Sequence, residues 1–389
     1  GTVYAWGDDN YGGDNSALYL NNLSNVKKIY STERAFAALK DDGTVFVWGD
    51  ESNYGGNNDD VSSLNEVKEI YTTRAAFAAL KYDGTMYSWG HSDFGGAEYE
   101  AGSVSNVKEV YSNVWGFVAV SRNASIGGSY AWGNQVAGGT ITNVSSQLYD
   151  ISSVYTTTEA FSVLRNDGTV ISWGNPLKGG NNNPLSFIKS SQTISEVLSN
   201  ENSYALLLND KSVVSFGHNW NGGNSASVSS LLFNVKRIYK TKKAFAALTE
   251  DDTAVFWGDN SSIFTNPVSH MKNVKEIIGL EEVFVAIKND DTIFIWGRTK
   301  DRTNPFLNNS DDSNYETNVI LSKPQFLSNI KDMFATKDGD RFSITALTYD
   351  NSIISWGNKD RGGYISSPLD TGGHYVRWGI TNSNITPIS

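Results

Sequence analysis

The chain has 389 residues, of which 39% are hydrophobic and 12% aromatic, enough apolar material for a large core and too much for a disordered chain. A formal net charge of −11 disfavours the basic footprint that sequence-independent nucleic-acid binding needs. There is no cysteine, which removes disulfides, thiol catalysis and thiolate metal sites, and no apolar run reaches the length of a membrane span.

A Trp-Gly pair recurs along the chain. It falls at Trp6, Trp48, Trp89, Trp132, Trp173, Trp257 and Trp296, with Phe216 once in place of Trp, at intervals of 39 to 43 residues. The next, Trp356, follows a gap of 60 residues, and a further one stands at Trp378. Each period opens with a strand pattern of the type Val-Lys-x-Ile-Tyr: Val26–Tyr30, Val67–Tyr71, Val107–Tyr111, Ile151–Tyr155, Ile194–Leu198, Val235–Tyr239, Val274–Ile278 and Ile330–Phe334. Its rough alternation predicts a half-exposed strand. The second part is Ala-Phe-Ala-Ala-Leu or a relative, first at Ala35–Leu39 and last at Ser343–Leu347, and the third is the Trp-Gly strand. Both are apolar or small on both faces, which predicts strands buried on two sides. Asp42-Gly43, Asp83-Gly84 and Asp167-Gly168 predict type I′ hairpins between them. Asp210-Lys211, Asp252-Thr253, Asp291-Thr292 and Asn351-Ser352 lack the glycine, so register there is expected to rest on packing. A polar loop follows each Trp-Gly strand and often ends in Gly-Gly, as in Asp50–Gly56 and His91–Gly96.

Three to four short strands per forty residues, joined by tight turns and without helical periodicity, describe one blade of a β-propeller. The expectation is an all-β chain forming a single closed propeller over residues 1–389. Eight blades are favoured, because eight segments carry the full set of parts; seven is the alternative, with one terminal set outside the ring. Gly1–Gly7 and Tyr364–Gly379 are the expected closing strands, the latter within a C-terminal segment of residues 364–389. The long gap holds an insertion of about residues 298–328.

The pattern AFAALKDDGTVFVWGDESNYGG, Ala35 to Gly56, resembles the RCC1-like repeat, and the resemblance runs from about Gly1 to Gly363. It implies the propeller fold. The short period looks more like the bacterial members, among them an inhibitor of β-lactamase and large surface or toxin-associated proteins. The chain departs from the family where Asn53-Tyr54-Gly55-Gly56 replaces the usual Gly-Gln-Leu-Gly and where Thr32-Glu33-Arg34 replaces the usual Gly and His; no basic tail is present. A chromatin role is therefore disfavoured and no exchange-factor residue carries over.

The residues offer few sites for chemistry. His91 and His218 occupy equivalent loop places where Asp or Asn stands elsewhere, and they read as loop polar residues rather than metal ligands. The Asp-rich loops read as turn initiators before calcium ligands, the Gly-Gly pairs as positions of positive φ or close inter-blade approach before phosphate cradles, and the repeated tryptophans as core before a glycan-stacking ladder. Trp220, inside the polar loop His218-Asn219-Trp220-Asn221, is a candidate contact aromatic. Lys240, Lys242 and Lys243, with Lys236 and Arg237, form a basic cluster that reads as a solvated blade edge first and an anionic-partner site second. The insertion is the one break in period, and its Asn308, Asp311, Asp312 and Tyr315 are candidate binding residues, since loops on a rigid scaffold often bind.

No cofactor, metal or catalytic constellation is implied. The leading expectation is a non-enzymatic module that recognises a protein or glycan through its loops, as part of a larger bacterial secreted, surface or toxin-associated protein, with delivery into host cells as a variant. The alternatives are a regulator or exchange factor of a small GTPase, on the resemblance alone, and a protein inhibitor of an enzyme.

Overall fold

The structure is a computed structural model and describes residues 1–13, 23–96, 105–121, 128–181, 188, 192–258, 270–280, 283–290, 293–297, 318–321, 330–338, 341–349, 351–357, 376–381 and 384–387. The chain forms two compact units, Gly1–Ser190 and Ser191–Ser389. Every regular element among the described residues is a strand or a short 3-10 turn.

The first unit holds four antiparallel three-stranded sheets, each in chain order. They are β1 (Val26–Ser31), β2 (Ala35–Lys40) and β3 (Val45–Gly49); β4 (Val67–Thr72), β5 (Ala76–Lys81) and β6 (Met86–Gly90); β7 (Val107–Ser112), β8 (Gly116–Ser121) and β9 (Tyr130–Gly133); and β10 (Ile151–Thr156), β11 (Ala160–Arg165) and β12 (Val170–Gly174). The second unit repeats the plan with β13 (Ile194–Ser199), β14 (Ser203–Leu208) and β15 (Val213–Gly217), then β16 (Val235–Lys240), β17 (Ala244–Thr249), β18 (Ala254–Gly258) and β19 (His270–Met271). It continues with β20 (Val274–Gly279), β21 (Val283–Lys288), β22 (Ile293–Gly297) and β23 (Asn318–Leu321). A five-stranded sheet follows: β24 (Ile330–Asp338), β25 (Arg341–Thr348), β26 (Ser352–Gly357), β27 (Val376–Thr381) and β28 (Asn384–Pro387).

The middle strand carries the packing because successive side chains leave opposite faces of a sheet. In β2, Ala35, Ala37 and Leu39 join Val67, Ile70, Phe77, Ala79 and Trp89 of the following sheet in one cluster. In β5, Phe77 and Ala79 face back while Ala76, Ala78 and Leu80 face forward onto Phe117, Ala119 and Trp132. The second unit shows the same alternation: Phe245 and Ala247 pack back on Ala205 and Leu207, while Ala244, Ala246 and Leu248 pack forward on Phe284 and Ala286. Alanine on both faces lets neighbouring sheets approach until the Phe of one fills the space left by the Ala of another. The Phe also pairs across strands with its own Trp, Phe77 with Trp89 at 5.1 Å and 13° and Phe117 with Trp132 at 5.2 Å and 26°.

In five of the sheets the Trp ties its sheet to the loop before it. The indole N–H of Trp48, Trp89, Trp132, Trp173 and Trp257 donates to the carbonyl of Gly12, Gly55, Gly95, Gly138 and Gly222, at 3.0–3.2 Å. Each of these glycines has positive φ, and a Cβ there would lie within 3 Å of the next sheet's Phe. The second glycine of each pair serves differently. A Cβ on Gly96 would lie 2.2 Å from the carbonyl carbon of Gly90, the glycine that ends β6.

The Asp-Gly turns differ from the type I′ form expected of them. Lys40 N–H donates to Thr44 at 2.9 Å and Gly43 N–H to Lys40 at 3.0 Å, closing a three-residue loop, Asp41-Asp42-Gly43. Gly43 has φ 79° while Asp42 is absent from the positive-φ residues, whereas type I′ needs positive φ at both central positions. The Asp42 carboxylate accepts the N–H (3.0 Å) and hydroxyl (2.6 Å) of Thr44, which sets the turn. Sets without the glycine keep the turn: Lys211 and Asp252 occupy its place at φ 65° and 61°. Register there is still held by the turn, at a cost in backbone strain. Lys211→Gly is expected to raise stability by up to about 1 kcal/mol, because left-handed strain of about 1–2 kcal/mol outweighs the entropy of glycine. The exposed Lys211–Glu250 pair that it removes is worth little. A shift of the urea midpoint to higher concentration checks this.

Two expectations at the margins change. Gly1–Gly7 forms no strand, and Trp6 is 84% exposed whereas Trp89 is 2% exposed. Within the insertion, the apolar run Val319-Ile320-Leu321 is a strand, β23, which pairs antiparallel with β22. The Trp378 segment is the fourth strand of the last sheet, paired with β26.

Candidate interaction face

The loops after the third strands are built alike. The first residue turns its side chain back to accept the backbone N–H two positions on: Asp8 from Asn10 (2.9 Å), Asp50 from Ser52 (3.0 Å), Asn134 from Val136 (3.0 Å) and Asn175 from Leu177 (3.0 Å). His91 does the same through Nδ1, from Asp93 at 3.2 Å, which makes it a turn residue as expected. His218 departs: its Nδ1 is buried without a partner, and its ring meets Trp220 edge-on at 6.1 Å.

A second anchor comes from the bend before each middle strand. The Thr73 hydroxyl donates to the Phe94 carbonyl at 2.9 Å, Thr157 to Lys178 at 2.8 Å, and the Asn113 amide to Ala137 at 2.7 Å. Loop and bend of one sheet are thereby locked together, so side chains that project from them stand on rigid backbone.

What projects changes along the chain. The residue two before the Gly-Gly pair is polar in the first three loops (Asn10, Asn53 and Asp93) and apolar in the next three (Val136, Leu177 and Trp220). Those three are exposed by 66%, 71% and 65%. Trp220 is thus where the sequence reading placed it. Val136 and Leu177 were missed, although an apolar residue at a place held by Asn or Asp elsewhere was a readable signal. At the bends, Arg34 lies between two tyrosine rings, with its guanidinium carbon 5.1 Å from the centroids of both Tyr11 and Tyr54. The equivalent place in the third sheet holds Trp115, stacked on Phe94 at 4.5 Å and 15°.

The basic cluster is largely engaged. Lys236 pairs with Asp252 at 2.8 Å, and Lys240 donates to the Ser199 carbonyl at 2.5 Å, where burial pulls its ammonium below the usual lysine range. Lys242 and Lys243 form the bend into β17, and the Lys242 carbonyl accepts the Glu201 N–H at 3.1 Å. Asn308, Asp311, Asp312 and Tyr315 lie outside the described residues.

The open first strands carry a second pattern. Tyr30 and Lys28 of β1 both donate to Glu69 of β4, at 2.6 Å and 2.5 Å, and Tyr111 donates to Glu109 at 2.7 Å. Burial, and then the bond to Glu69, raise Tyr30 well above the usual phenol range. Burial pushes Glu69 up, but the bonds from Lys28 and Tyr30 together outweigh it and hold the carboxyl below its ordinary 4.5. Glu196 occupies the same strand place in β13 and moves the other way: burial raises it, opposed only by Arg237. A depressed carboxyl stabilises above its unfolded value and loses that contribution as pH falls through the folded one. A raised carboxyl contributes below the unfolded value and loses that as pH rises. Glu69→Gln is therefore expected to lower the melting temperature at neutral pH and to flatten its fall below pH 4.5, whereas Glu196→Gln raises it at neutral pH; melting curves across a pH series check both signs.

No protein-family profile matches the chain, and no curated protein matches it. Among solved structures, yeast RCC1 (Prp20), solved bound to Kap60, is 15% identical, with 75% of this chain and 70% of that chain covered and a TM-score of 0.39. The ectodomain of the Physcomitrella patens receptor kinase CR4 is 14% identical, with 69% and 72% covered and a TM-score of 0.37. At such scores these likenesses carry no argument, and the fold rests on the repeated sheets themselves. Among the described residues no helix is long and apolar enough to cross a membrane, and no cluster of His, Asp or Glu could hold a metal ion.

Proposed function

We propose that the chain is a non-enzymatic interaction module, an RCC1-like propeller of eight blades, whose loops after the third strands recognise a protein partner. The observation that carries this reading is an exposed apolar side chain at the same repeat position in each unit, Val136 and Leu177 in the first and Trp220 in the second, on loops held by hydrogen bonds with Asn134, Asn175 and Asn200. Rigid presentation lowers the ordering cost of binding, and aromatic and aliphatic anchors on such loops are the usual source of interface energy. The displaced protonation equilibria also support a scaffold role: burial and then the bond to Glu69 raise Tyr30, while Glu69 is lowered against its burial by Lys28 and Tyr30, and Glu33 by Arg74, all pairs between sheets. Placement in a secreted or surface protein follows from the sequence resemblance alone.

The test is a protein array probed with the full chain and with a variant carrying Val136→Ser, Leu177→Ser and Trp220→Ser. Array partners bound by the native chain should weaken at least about tenfold, the equivalent of one modest hot spot. Partners bound equally by both would sink the reading, as would turnover of a substrate by the purified chain that a point substitution abolishes.

A further inference from the structure

The guanidinium of Arg34 has no hydrogen-bond acceptor among the described residues. Its central carbon lies over the rings of Tyr11 and Tyr54, 5.1 Å from each centroid, and its Nε is buried without a partner. Buried polar atoms are nearly always satisfied, so such a group asks for an explanation. Other arginines are at least partly paired: Arg74 Nε donates to Glu33 at 2.5 Å, and Arg165, whose Nε is likewise buried without a partner, pairs through its terminal nitrogen with Asp167 at 2.7 Å.

The charges that face Arg34 are accounted for in the same way. Glu33, its chain neighbour, is committed to Arg74, whose hydrogen bond is the main cause of its lowered pKa. Asp50 feels Arg34 only weakly, and its Oδ1 is taken within its own turn by Ser52 and Asn53. The Arg34 guanidinium carbon thus lies over both rings, and its N–H donors have no acceptor among the described residues. Stacking on aromatic faces fixes the plane of a guanidinium and leaves its fork to a planar bidentate acceptor. The repeat does not need a cation here, since Ala75 fills the equivalent place in the second sheet and Trp115 in the third.

We infer that Arg34, clamped between Tyr11 and Tyr54, is a receptor for a single carboxylate on a protein partner, an exposed Asp or Glu side chain bound through the edge of the guanidinium. A carboxylate fits better than a phosphate, because one guanidinium meets one negative charge and the neighbouring Glu33 and Asp50 would repel a dianion. The inference rests on the loop face being the binding face, and gives that face a chemical preference.

The experiment is an NMR titration of the isotope-labelled full chain, following the Arg34 Nε–H signal, with a capped glutamate-centred pentapeptide, its glutamine twin and inorganic phosphate as separate probes. The glutamate peptide should shift that signal saturably and the glutamine twin should not. Arg34→Gln should abolish the effect as read on the neighbouring Tyr54 amide, and Arg34→Lys should weaken it about tenfold, because lysine offers a point charge in place of a fork. No saturable shift with the glutamate peptide in the native chain would overturn the inference, and so would phosphate binding as tightly or more tightly. If array partners depend on Val136, Leu177 and Trp220 while Arg34 stays silent, the carboxylate receptor fails and the interaction face stands; a responsive Arg34 with no array partner gives the converse.

Discussion

Gly96→Ala is expected to destabilise the chain by at least about 3 kcal/mol, because the added methyl would overlap backbone, which cannot rotate aside. Its Cβ would sit 2.2 Å from the carbonyl carbon and 2.4 Å from the oxygen of Gly90. Gly43→Ala is the informative contrast: the nearest atoms there are 3.3 Å away, a tight contact in place of an overlap, and the main strain is that of φ 79°, so about 1 kcal/mol is expected. Urea unfolding of the two variants side by side separates a packing requirement from a conformational one. Equal losses would show that the close approach of the two glycines contributes nothing beyond its backbone angles.

The second large effect is expected from Phe117→Ala, at about 3–5 kcal/mol, the range for truncating a fully buried ring. Phe117 is wholly buried, stacks on Trp132 and packs against the forward face of the second sheet, so the cavity opens between two sheets. Trp132→Phe should cost less, about 1–3 kcal/mol, chiefly from leaving the Gly95 carbonyl without its 3.1 Å donor. The chain itself shows that this second change is compatible with folding, since Phe216 stands at that place and stacks with Tyr204 at 5.0 Å. Thermal unfolding with both variants checks the order, and a Phe117→Ala loss no larger than that of Trp132→Phe would contradict a core between the sheets.

The strands were legible because their signal is local and doubled. Ala-Phe-Ala-Ala-Leu is apolar on both faces, and the structure buries it on both, as in Ala76 to Leu80. The turns were half legible. Asp-Gly is common to two turn types, and the choice depended on whether Asp41 belonged to the strand or the loop, which only the bond from Lys40 N–H to Thr44 decides. In the set with Asp252 the register was misplaced by one, because Asp252 itself takes the place of the glycine at φ 61°. For the face, Trp220 stood out as an aromatic in a polar loop. Arg34 did not, because its partners Tyr11 and Tyr54 come from loops of two different repeats and only the stacking of sheets brings them to it. The lysine cluster looked like one patch in sequence, yet Lys236 and Lys240 stand at opposite ends of β16, where one reaches Asp252 and the other Ser199.

The alternation along the middle strands, Phe toward the preceding sheet and Ala toward the following one, gives the repeats that show it among the described residues a plug at one side and a socket at the other. Such an interface is heterologous, and nothing in it limits the number of copies. In-register duplication or loss of a single repeat length in the gene would leave all remaining junctions complementary, so variants with more or fewer repeats are reachable in one genetic step. The same property predicts the failure mode of truncation: a fragment cut between repeats bears both a bare plug and a bare socket, and is expected to join head to tail with its own kind, which sedimentation of residues 105–258 would reveal.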